Sequence, residues 1–163
     1  MQEKLVKEYE KSAKNIALDL DNYTNNNYLT HNFHPYPAKY IPQIPKEILL
    51  RLSKKDDWIL DPFCGSGTTL VEAKLCGRNS IGSDINPLSC IITKVKTTKL
   101  SENQIKEIRE ILNQARADFI SKKKYPVPEY LNIDMWFDRE IKEQLAILKY
   151  HISLVKEDEV KIF

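Results

Sequence analysis

Two carboxylates with a glycine-rich bend between them carry the densest chemistry in this 163-residue chain. Asp61 and Asp84 stand twenty-three positions apart, and Pro62-Phe63-Cys64-Gly65-Ser66-Gly67 follows directly on the first. Glycines at 65 and 67 let the backbone turn sharply and lie close against a ligand. An acid in the place of Asp84, ending a second strand, accepts hydrogen bonds from both hydroxyls of a ribose. An acid directly ahead of the bend, as Asp61 is, repels a pyrophosphate and pairs with an ammonium group. The third glycine of G-x-G-x-x-G would fall at Leu70, which argues further against a dinucleotide.

The elements that must hold these groups are legible on either side. Trp58-Ile59-Leu60 is a short apolar run ending on Asp61 and reads as a buried strand. Thr68 to Leu75 is helix-compatible, with Gly77 where a helix terminator is wanted. Ser80-Ile81-Gly82-Ser83 reads as a second strand ending on Asp84. Strand, bend, helix, strand, acid is half of a doubly wound α/β sheet with its ligand crevice at the strand ends. The helix start adds free N–H groups and a partial positive charge, suited to a carboxylate. A ribose with an amino-acid head describes S-adenosylmethionine.

Asp61-Pro62-Phe63-Cys64-Gly65-Ser66-Gly67-Thr68-Thr69 resembles the cofactor signature of bacterial DNA methyltransferases that modify N6 of adenine or N4 of cytosine. His34-Pro35-Tyr36-Pro37-Ala38-Lys39-Tyr40 is similar to a segment that closes over the methionine end of the cofactor in one branch of that family, and Asp84-Ile85-Asn86-Pro87 to its ribose-binding acid and adenine contact. The likeness is good over residues 31 to 90. It implies a Rossmann-like class I methyltransferase fold in the α/β class, here incomplete, with few parallel strands flanked by helices. Asp61 would hold the methionine amine, Gly65 and Gly67 would give close backbone approach, Thr68 would meet the carboxylate, and Asp84 would hold the ribose. Phe63, Cys64, Thr69 and Ile85 would line the same cofactor, and Tyr36, Pro37 and Lys39 would cover it. DNA is the partner the resemblance implies.

The family's catalytic tetrapeptide, Asp/Asn/Ser-Pro-Pro-Tyr/Phe, does not occur in these 163 residues. The catalytic residues are therefore unassigned. The expectation is a chain that supplies the cofactor-binding part, in residues 31–163, behind an N-terminal helical arm and loop in residues 1–30. The catalytic motif would lie on a second chain or a further C-terminal part, and a homodimer is a possible arrangement. A catalytically inactive remnant or partner-binding subunit is the alternative, with an RNA or small-molecule methyltransferase beside it.

Composition sets outer bounds. Cys64, Cys76 and Cys90 are odd in number and lack C-x-x-C spacing, which points to reduced thiols, a cytoplasmic setting and no zinc site. No apolar run approaches the roughly 18 residues of a membrane span. His31 and His34 have no third ligand at metal-binding spacing. Net charge is only +2, yet residues 88–124 carry nine Lys/Arg against four acids. That strip reads either as a solvated helix face or as a surface facing phosphates, and Lys122-Lys123-Lys124 either as a dipole partner or as a DNA contact.

The remaining elements follow from periodicity. Residues 3–20 form an amphipathic stripe, and Ile41 to Leu52 a short helix with Ile48, Leu49 and Leu52 inward. Asn86-Pro87 opens another helix. Ser101-Glu102-Asn103-Gln104 is a capping box ahead of Ile105, Ile108, Leu112, Ala115 and Phe119. Asp138 caps a last helix with Ile141, Leu145, Leu148, Ile152 and Val155 as its apolar face, and Trp136-Phe137 are expected to pack onto its start.

Overall fold

The computed structural model describes residues 28–162, and the stripe at 3–20 lies outside them. The chain divides between Thr98 and Lys99 into two units. The first holds α1 (Gln43–Leu52), β1 (Trp58–Asp61), α2 (Thr68–Leu75), β2 (Asn79–Gly82) and α3 (Pro87–Thr97). The second holds α4 (Glu102–Ile120), the single turn α5 (Ile133–Trp136), α6 (Arg139–Ser153) and the single turn α7 (Asp158–Lys161).

In the first unit β1 and β2 run parallel, with Trp58 opposite Asn79 and Asp61 opposite Gly82. Parallel neighbours need a crossover, and α2 provides it. The class is α/β, a small parallel sheet with α2 packed on one face. Gly82 is where α2 comes closest, since a Cβ there would stand 2.7 Å from Leu70 Cδ2. α2 ends as the glycine predicts. Gly77 takes φ +73°, its N–H donates to the Lys74 carbonyl, and the Arg78 N–H donates to the Ala73 carbonyl, which together form a Schellman cap. The Arg78 guanidinium then reaches Ser53 and the carbonyl of Leu49, satisfying the end of α1.

The buried-strand expectation needs correction. Ile59, Ser80, Asp61 and Gly82 are half-buried, whereas the opposite face presents Trp58, Leu60 and Ile81 at 69%, 68% and 55% exposure. Successive side chains alternate across a strand, and α2 packs against the sheet on the half-buried side. The second strand also stops at Gly82, so Asp84 lies two residues beyond it, in the loop leading to α3. α1 starts at Gln43 rather than Ile41; Leu49 is its buried apolar residue and Ile48 is exposed.

The second unit departs from its expected apolar faces in part. The capping box at Ser101 and Gln104 is present, and α4 packs against α6. On α4 Ala115 is buried and Ile105 and Ile108 are half-buried, as expected, while Leu112 and Phe119 are exposed. On α6 the buried residues are Ala146, Ile147 and His151; of the expected stripe, Ile141, Leu145, Leu148 and Ile152 are exposed, while Val155 is buried just beyond the helix end. The buried face carries a polar pair, His151 Nε2 meeting Asp118 Oδ2 at 2.9 Å beside Ala146 and Ile147. Asp138 occupies the N-cap of α6 without a side-chain hydrogen bond to the helix, and Trp136, in the unexpected turn α5, is exposed rather than packed. Among the described residues no helix is long and apolar enough to cross a membrane.

Candidate functional site

The site is built on the bend between β1 and α2. β1 delivers Asp61 at its C-terminal end, where Oδ1 accepts the Phe63 N–H at 3.2 Å. The other oxygen, Oδ2, is buried and accepts no hydrogen bond of normal geometry among the described residues, though the Tyr40 hydroxyl lies close enough to interact with the carboxylate. A buried carboxylate oxygen left bare is costly. Its chemistry is that of an acceptor waiting for an ammonium or hydroxyl donor.

Beyond Pro62 the backbone folds back on itself. Gly65 and Gly67 both take left-handed conformations, at φ +49° and +78°, which is why glycine stands at each. The Gly67 N–H donates to the Cys64 carbonyl at 2.7 Å, closing the turn, and the Cys64 N–H donates to the Ser83 carbonyl at 2.9 Å, tying it to the end of β2. Asp84 straddles the join. Its Oδ2 accepts the Gly65 N–H and its Oδ1 the Asn86 N–H, each at 2.9 Å. Those bonds, that of Asn86 first, hold the Asp84 carboxyl below the usual carboxylate range, so it is ionised and purely an acceptor at neutral pH. Asn86 in turn caps α3 by accepting the Leu88 N–H at 3.0 Å, with Pro87 at the first helical position.

The strap at 31–40 lies against this bend. The Tyr36 ring passes so near Gly65 that a Cβ there would be 3.3 Å from Cε1, and its hydroxyl pairs with Ser89 Oγ at 2.6 Å. The Tyr40 hydroxyl pairs with Thr69 Oγ1. Burial raises the Tyr40 pKa against the pull of that bond, with the Asp61 carboxylate adding to the rise. Strap residues Asn32, His34, Pro35, Tyr36, Pro37 and Lys39 line an open cavity of about 590 Å³. The structure thus brings Tyr36, Gly65 and Asp84 together, with Asp61 at the start of the same bend. Phe63 and Ile85 project almost fully into solvent, while Cys64 and Thr68 are buried. Burial raises the Cys64 thiol pKa, so it is a packing residue rather than a thiolate. Lys39 turns back into the strap, where its ammonium donates to the His31 carbonyl at 2.8 Å and to Asn32 Oδ1 at 2.7 Å.

Sequence reasoning missed a supporting layer. His31 is fully buried, with Nε2 at 2.7 Å from Oε1 of the equally buried Glu72 on α2, and the Tyr28 hydroxyl donates to the same oxygen at 2.5 Å. Ser89, Thr93 and Lys96 on α3 are buried too. Thr93 Oγ1 donates to the Gly65 carbonyl at 3.0 Å and Lys96 Nζ to the Ser66 carbonyl at 2.7 Å. Burial, with Lys39 nearby, pulls the Lys96 pKa down to about 8. The signal was available in the spacing, since positions 89, 93 and 96 recur at four and three residues and share one helix face.

Residues 2–95 match the family described as DNA methylase. Type II methyltransferase M.MvaI of Kocuria varians is 36% identical over 86% of this chain and 33% of its own length. Type II methyltransferase M.MjaII of Methanocaldococcus jannaschii is 41% identical over 62% of this chain and 19% of its own. A tRNA (guanine(10)-N2)-dimethyltransferase of the same archaeon is 30% identical over 59% of this chain and 30% of its own. The chain thus spans about a third or less of the curated relatives it matches. No solved structure matches it.

Proposed function

The chain belongs to the DNA methylase family, and from that premise we propose that it supplies the S-adenosylmethionine-binding part of an enzyme that methylates an exocyclic amine of a DNA base, N6 of adenine or N4 of cytosine. The α/β arrangement is then the first portion of a Rossmann-like class I methyltransferase sheet. When bound, S-adenosylmethionine supplies a sulfonium methyl that a nitrogen nucleophile can take by direct displacement.

The observation that carries the reading is the buried Oδ2 of Asp61, without a hydrogen bond of normal geometry among the described residues, at the start of the glycine bend. An α-ammonium satisfies that oxygen. Asp84, held ionised by two backbone N–H groups, retains lone pairs for the ribose hydroxyls. Tyr36, its ring against Gly65 and its hydroxyl on Ser89, lies over the bend as a cover for the cofactor. Phe63 and Ile85 offer exposed apolar surface beside the two acids, suited to an adenine ring. No residue of this chain is assigned to accept the proton of the target amine. That role belongs to a second chain or a further part of the protein, and DNA is the macromolecular partner. The tRNA dimethyltransferase relative supports a second reading, in which the same cofactor part serves an RNA amine.

Titration calorimetry with S-adenosylhomocysteine tests the proposal. The chain binds with about 1:1 stoichiometry, and Asp61→Asn and Asp84→Ala each weaken binding about tenfold or more. Wild-type chain that takes up no ligand, or variants that bind like wild type, would falsify it.

A further inference from the structure

The cofactor reading explains why the bend is bare, but not why it is so firmly held from behind. We propose that Thr93 and Lys96 of α3 are positioning residues, which grip two successive carbonyls of the bend and thereby aim the Ser66 N–H at the carboxylate of the bound cofactor. The inference rests on the cofactor reading of the bend.

The argument is one of peptide geometry. Thr93 Oγ1 holds the Gly65 carbonyl at 3.0 Å, and Lys96 Nζ holds the Ser66 carbonyl at 2.7 Å. Both peptides are trans, like all those described. A trans peptide points its C=O and N–H in opposite directions. Turning the Gly65 carbonyl towards α3 therefore turns the Ser66 N–H away from it. Turning the Ser66 carbonyl likewise sends the Gly67 N–H outward, where the Cys64 carbonyl takes it at 2.7 Å. The Gly65 N–H is taken by Asp84. Of the three consecutive donors at 65, 66 and 67, two are thus spent within the protein, while the Ser66 N–H projects away from α3 with no acceptor among the described hydrogen bonds.

The surroundings fit a deliberate hold. A Cβ at Gly67 would come within 2.7 Å of Thr93 Oγ1, so the threonine fills the space that glycine vacates. Lys96 is 5% exposed, and an ammonium is rarely so buried unless hydrogen-bonded. Ser66 Oγ is buried with no hydrogen-bond partner among the described residues, so the serine's polar tie to α3 is its carbonyl. The strap joins in through Thr30, whose hydroxyl donates to the Lys96 carbonyl at 3.1 Å.

The test uses the full chain with Thr93→Val, which keeps the shape and removes the donor, Thr93→Ser, which keeps the donor, and Lys96→Met. Amide hydrogen exchange over residues 64–69 is followed without ligand, and S-adenosylhomocysteine affinity by calorimetry. Thr93→Val and Lys96→Met should speed exchange across the bend and weaken binding about fivefold to thirtyfold, as the loss of one or two hydrogen bonds implies. Thr93→Ser should stay within about twofold of wild type on both readouts. Unchanged exchange and affinity in Thr93→Val overturn the inference. So do equal losses in Thr93→Val and Thr93→Ser, which would assign the effect to packing. Wild-type chain that binds no ligand sinks the cofactor reading instead, and exchange in the bend still reports whether these side chains hold it.

Discussion

The two units of this chain spend their interiors differently. Among the described residues, eight of the nine buried polar or charged side chains lie in residues 28–98, and only His151 lies in residues 99–162. Buried polar groups are costly unless they are hydrogen-bonded. A unit that keeps His31, Glu72, Ser89, Thr93 and Lys96 inside is using them to fix something, and what they surround is the bend between Asp61 and Asp84. The second unit is a pair of amphipathic helices joined by a single polar latch, Asp118 to His151 and Tyr125, with much of its apolar surface still open. Polar burial marks the site here more clearly than any cavity does.

That contrast can be broken most forcefully at Gly67. An alanine there must adopt φ +78° and place its Cβ against Thr93. Gly67→Ala should destabilise the first unit by about 2–4 kcal/mol, from left-handed strain plus overpacking. Denaturant unfolding read by peptide-resolved hydrogen exchange should show the loss in residues 28–98 and not in 99–162; equal loss in both would erase the distinction between the units.

A weaker and opposite perturbation sits at Asp118. Its carboxyl is held below the usual range by hydrogen bonds from Tyr125 first and His151 second. A depressed folded value means stability that is present above the unfolded carboxylate pKa of roughly 4 and is lost as pH falls through the lower folded value. The second unit should therefore lose protection on acidification below about pH 4, and Asp118→Asn should remove that dependence while leaving S-adenosylhomocysteine affinity at wild-type level. An Asp118→Asn chain with altered ligand affinity would tie the latch to the site.

The smallest effect is expected on the open face of the sheet. Leu60→Thr with Ile81→Thr replaces exposed apolar side chains by β-formers, and stability should shift by no more than about 0.5 kcal/mol. Light scattering at high concentration should show less self-association, because large exposed apolar patches favour contact between molecules. A loss of several kcal/mol would mean that this face is covered after all.

What the sequence made legible was local. The bend, the span of α2, its terminator at Gly77, the Asn86-Pro87 start of α3 and the capping box at Ser101 each depend on residues within four positions of one another. Periodicity failed where the buried face meets a distant partner. On α6 the buried face carries Ala146, Ile147 and His151 instead of the regular apolar stripe, and His151 pairs with Asp118 thirty-three positions away. On β1 the apolar run reads as buried throughout, but Trp58 and Leu60 face outward and the half-buried face carries Ile59 and Asp61. The supporting layer of Glu72, Thr93 and Lys96 stayed hidden for the same reason, since its bonds span 28 to 41 positions.

Asp84 has a consequence of its own. One of its oxygens pins the glycine bend and the other pins the first turn of α3. Any guest that draws on this side chain must therefore tug both pieces of backbone at once. Affinity and loop order become a single quantity, rising and falling together. A mutation that slackens either tether will register as poorer recognition, even though it never touches the guest.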